Sequence, residues 1–102
     1  MVTKFAGYAF EGPFISAREV SEDAGIFLVQ DMFTGFIIHI EESNNLKRAI
    51  DKSPRSASWQ HDTGGNFRIW VRYIHVNSED DRHILQAALK FHYSSGYLCS
   101  LR

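Results

Sequence analysis

Scarcity says most about this chain at first reading. One cysteine, Cys99, stands alone among 102 residues, so no intramolecular disulfide can form, and a reducing compartment, the cytoplasm, is expected. Cys99 itself is expected to behave as a small apolar residue near the C-terminus. Eleven basic residues face twelve acidic ones, and the net charge of −1 gives no global pull on a polyanion. No stretch approaches the roughly 18 apolar residues of a membrane span. Glu11 and Gly12-Pro13 break the apolar start before a signal-peptide core could form. Repeats, low-complexity tracts and linkers are also missing, so residues 1–102 read as one domain.

What is present fits a small globular core. Hydrophobic residues make up 44% and charged residues 23% of the chain, a balance that supports folding rather than disorder. Eight Phe, four Tyr and two Trp supply large side chains to bury or to display. Residues 1 to 15 are aromatic and punctuated by glycine, with Gly12-Pro13 marking a turn. Ser16 and Glu19 have capping-box spacing and predict a helical turn near 17 to 22. Ile26 to Gln30 and Phe36 to Glu41 are apolar runs of strand length, joined closely enough to form an antiparallel hairpin.

Asn45 can cap a helix over 46 to 52, with Leu46, Ala49 and Ile50 on one face. Ser53-Pro54 restarts the chain into a short helix carrying Trp59, and residues 62 to 66 form a loop by composition. Phe67 to Val76 alternates as a strand. Phe67, Ile69, Val71 and Tyr73 share one face, and Arg68, Trp70, Arg72 and Ile74 the other. Ser78 with Glu79, Asp80 and Asp81 is a strong helix start for 79 to 93, because a hydroxyl and carboxylates both satisfy exposed N-terminal amides. Ile84, Leu85, Ala88, Leu89 and His92 are its expected buried stripe, with Arg82, Gln86 and Lys90 alongside. Ser94-Ser95-Gly96 is expected to end it.

Gly25-Ile26-Phe27 opens the first run, and His39-Ile40-Glu41 closes the second before Glu42-Ser43-Asn44-Asn45-Leu46. Two such motifs about ten residues apart, followed by a Ser-x-Asn-Leu step into a helix, resemble the GIY-YIG nuclease family. The resemblance spans about residues 10 to 98. It implies an α+β fold, a small three-stranded antiparallel sheet flanked by helices. In that family two motif tyrosines position or activate the attacking water, an arginine on the first helix contacts the scissile phosphate, and a glutamate on the long helix holds a divalent metal. Carried over, the first tyrosine falls on Phe27, the second on His39 and the motif glycine on Glu41. The arginine falls on Ala49, with Arg48 rotated by about 100°, and the metal-binding glutamate falls on Gln86, four residues after Arg82.

Each replacement removes chemistry. Phe27 has no hydroxyl to share a proton. Exchanging a guanidinium for the methyl of Ala49 removes a charge-assisted hydrogen bond worth about 1.5–3 kcal/mol, and a lost transition-state donor lowers a rate by about 10²–10³. Hard cations depend on carboxylates that the amide of Gln86 does not replace. Glu41 would repel a phosphodiester. The resemblance therefore implies a fold without its reaction, and neither a cofactor nor a metal is expected.

Other constellations are weaker. His39 and Glu41 share a strand face, as a metal or acid–base pair would, and with Gln86 nearby in the implied fold they would form a substituted polar pocket. Filling of the old cleft by a polar contact is the plainer expectation. His61-Asp62 is a two-residue match, and His75, His83 and His92 lack metal-ligand spacing. Arg68, Trp70 and Arg72, with Arg48, invite a nucleic-acid contact through stacking and charge. Against it stands burial of Trp70 under a helix with arginine stems packed beside it. The sequence thus points to a catalytically inactive GIY-YIG-like domain acting by binding, with a protein partner expected ahead of nucleic acid. A divergent metal-dependent hydrolase using His39, Glu41 and Gln86 is the rival, and a residual nucleic-acid-binding module the third.

Overall fold

The computed structural model describes residues 1–75 and 78–94. Five strands, β1 (Val2–Phe5), β2 (Tyr8–Phe14), β3 (Gly25–Asp31), β4 (Ile37–Ser43) and β5 (Phe67–Tyr73), form one antiparallel sheet in the order β1-β2-β5-β3-β4. Helices α1 (Leu46–Asp51), α2 (Ser56–Thr63) and α3 (Glu79–Ser94) complete an α+β fold. None is long and apolar enough to cross a membrane.

The alternation of β3 and β5 builds a core on each sheet face. Ile26, Leu28 and Trp70 pack with Phe5, Phe10, Ile40 and the α3 residues Leu85, Leu89 and Tyr93. Phe27, Val29, Ile69 and Val71 pack on the other side with Val20, Ile38, Leu46, Ile50 and Trp59. Gly25, the glycine of the first motif, is required by this pairing. A Cβ there would run into the Arg72 carbonyl oxygen of β5.

The three-stranded sheet expected from sequence is too small. Within residues 1 to 15, where only a turn at Gly12-Pro13 was expected, the hairpin β1–β2 forms and adds two strands beyond β5. Its two-residue turn is Ala6-Gly7, with φ of 53° and 86°, the positive pair of a type I′ hairpin. Alanine is an uncommon occupant there, which is why no turn signal was visible. Gly12-Pro13 is no chain reversal. It lies inside β2, with a cis peptide bond, where the register slips between Glu11 and Phe14, and a bulge tolerates proline. A Cβ on Gly12 would sit 2.9 Å from the Ile69 carbonyl oxygen and 3.0 Å from the Trp70 ring, so glycine lets β2 approach β5.

Local signals fare better. Ser16 precedes a 3₁₀ turn at Ala17–Glu19, its hydroxyl accepting from Arg18 N while Glu19 Oε1 accepts from Ile15 N. This is shorter than the expected turn near 17 to 22. Asn45 Oδ1 accepts from Arg48 N at 3.0 Å and starts α1. Helix α2 begins after Pro54 at Ser56 and continues through Thr63, shortening the expected loop. Gly64, at φ 64°, then caps it in the left-handed region.

The buried face of α3 differs from the expected stripe. Arg82, Leu85, Leu89 and Tyr93 face the core, while Ile84 is 67% exposed and Ala88 and His92 are also exposed. The turn of the helix follows from a polar anchor: Arg82 and Gln86, expected beside the stripe, both engage Glu42 of β4. Strand β5 ends at Tyr73, and Val76, expected within it, lies outside the described residues, as do Ser95, Gly96 and Cys99.

Candidate functional site

On β4, His39 and Glu41 point to the face covered by α1 and α2, since they pair with Val29 and Phe27 in register. His39 Nε2 lies 2.8 Å from Glu41 Oε1, within hydrogen-bonding distance. The imidazole packs with its centroid 5.6 Å from Phe27 and 5.2 Å from Trp59. Phe27 is fully buried. Trp59 descends from α2, where Thr63 Oγ1 donates to its carbonyl oxygen at 2.7 Å, and it also meets Phe27 and Phe67 edge-on. Ala49 of α1 packs half-buried against the same cluster. Thus Phe27, His39, Glu41 and Ala49 lie on one side of the sheet. Trp59 completes the wall, and its position on the short helix after Pro54 was the sequence signal that could have placed it.

The geometry limits the chemistry. The His39 side chain is 15% exposed and that of Glu41 41%, so the pair opens to water through its carboxylate. The ring nitrogen and the carboxylate oxygen thus form one hydrogen-bonded pair at the edge of this face. A hard cation needs several oxygen ligands, and no group of three or more metal-ligating side chains occurs among the described residues.

Gln86 does not join this pair, and the three-residue pocket expected from sequence is not formed. Helix α3 covers the opposite face, and the Gln86 Oε1 accepts from the backbone N–H of Glu42. The Glu42 side chain turns toward α3, with Oε2 3.8 Å from Arg82 Nε and 3.3 Å from His83 Nδ1. Arg82, 2% exposed, also reaches Glu79 at 3.9 Å and the His75 carbonyl oxygen at 3.5 Å. Sequence reading missed this cluster because strand alternation separates Glu42 from Glu41, and only the docking of α3 shows what Glu42 meets.

The basic residues do not form one surface. Trp70 is 5% exposed in the core under α3, and its indole N–H donates to Gln30 Oε1 at 2.9 Å. It offers no free ring for stacking. Arg68 donates to the Phe67 carbonyl oxygen, and Arg72 to that of Ala9 while lying 5.8 Å from the Tyr8 ring centroid. Arg48 is exposed on α1, across the sheet from them. His61 Nδ1 and Asp62 Oδ1 are 3.5 Å apart on α2, with the histidine side chain 91% exposed.

No protein-family model, curated protein or solved structure matches this chain. Its function is therefore argued from its own residues.

Proposed function

We propose that this chain is a GIY-YIG-like domain that has lost phosphodiester chemistry and acts by binding, with a protein as its partner. The order of β3, β4, α1, β5 and α3 supports the family reading, with β1–β2 and α2 added around it. One observation carries the loss of reaction: His39, in the place of the second tyrosine, is bonded to Glu41 at 2.8 Å, in the place of the motif glycine. The residue pair thus fills with a side chain and a negative charge the space where substrate would approach the backbone. Gln86 is occupied by the Glu42 amide on the other face. Near-neutral charge and the dispersal of Arg48, Arg68 and Arg72 favour a protein over nucleic acid.

Purified protein with Mg²⁺ or Mn²⁺ should leave plasmid and single-stranded substrates intact. Millimolar divalent cation should leave the melting temperature unchanged, since only a ligand well above its dissociation constant stabilises. The His39–Glu41 hydrogen bond also favours a second reading, a divergent hydrolase with this pair as acid and base. Cleavage that disappears in His39→Ala would replace the first reading with the second.

A further inference from the structure

We draw no further inference here: the strongest candidate, the apolar groove between the 3₁₀ turn, α1, α2 and β5 that has the buried Trp59 in its wall, is an unpartnered face, and nothing in the structure shows what covers it.

Discussion

The two faces of the sheet each carry a carboxylate from β4, in different surroundings. On the α1–α2 face, Glu41 meets His39 and stays open to water. On the α3 face, the side chain of Glu42 is 16% exposed and faces the 3% exposed side chain of Arg82. A half-open pair can meet a ligand. A buried pair is held by its partners, and its cost is felt chiefly when one charge is removed. Adjacent residues thus separate a candidate site from a structural anchor, because strand alternation sends them to opposite sides.

The difference can be tested by removing each part in turn. Glu42→Ala should be the most disruptive, since it leaves the Arg82 charge in the core without its β4 carboxylate. A loss of about 3 kcal/mol, read as a lower midpoint in urea unfolding, is expected, and a loss below that of Glu41→Ala would end the anchor interpretation. Gly25→Ala should cost about 1–3 kcal/mol by forcing β3 away from the Arg72 carbonyl oxygen, again measured in urea. Its effect should reach both cores, because β3 belongs to both. Gln86→Ala removes the acceptor of the part-buried Glu42 N–H and should cost about 1–2 kcal/mol. Hydrogen exchange at the Glu42 amide should accelerate in this variant, and an unchanged rate would mean that another group satisfies the donor. Glu41→Ala should cost less than about 1 kcal/mol, with thermal melting nearly superimposable on the parent protein. A large loss there would show that the open pair is part of the scaffold.

Much of the local structure was legible beforehand because its causes are local. Asn45 caps α1 with its own side chain, the apolar runs of β3 and β4 have strand length, and α3 begins at its acidic residues. The hairpin β1–β2 was not legible, because Ala6 adopts a turn conformation that its residue type does not advertise and Gly12-Pro13 imitates a turn. The site was half legible. The period of two put His39 and Glu41 together, while the distance between them and Gln86 depended on which face α3 covers.

The sequence by itself determined the element types from β3 onward, the Asn45 cap and the alternation of β5, since these depend on residues within a turn or two of one another. Only the tertiary structure decided the five-strand order, the burial of Arg82 in place of Ile84, and the separation of Gln86 from His39. Those outcomes depend on contacts between distant segments. There the rotation of α3 about its axis brings the buried Arg82 guanidinium within ion-pair distance of the Glu42 carboxylate and the Gln86 amide oxygen to the part-buried Glu42 N–H.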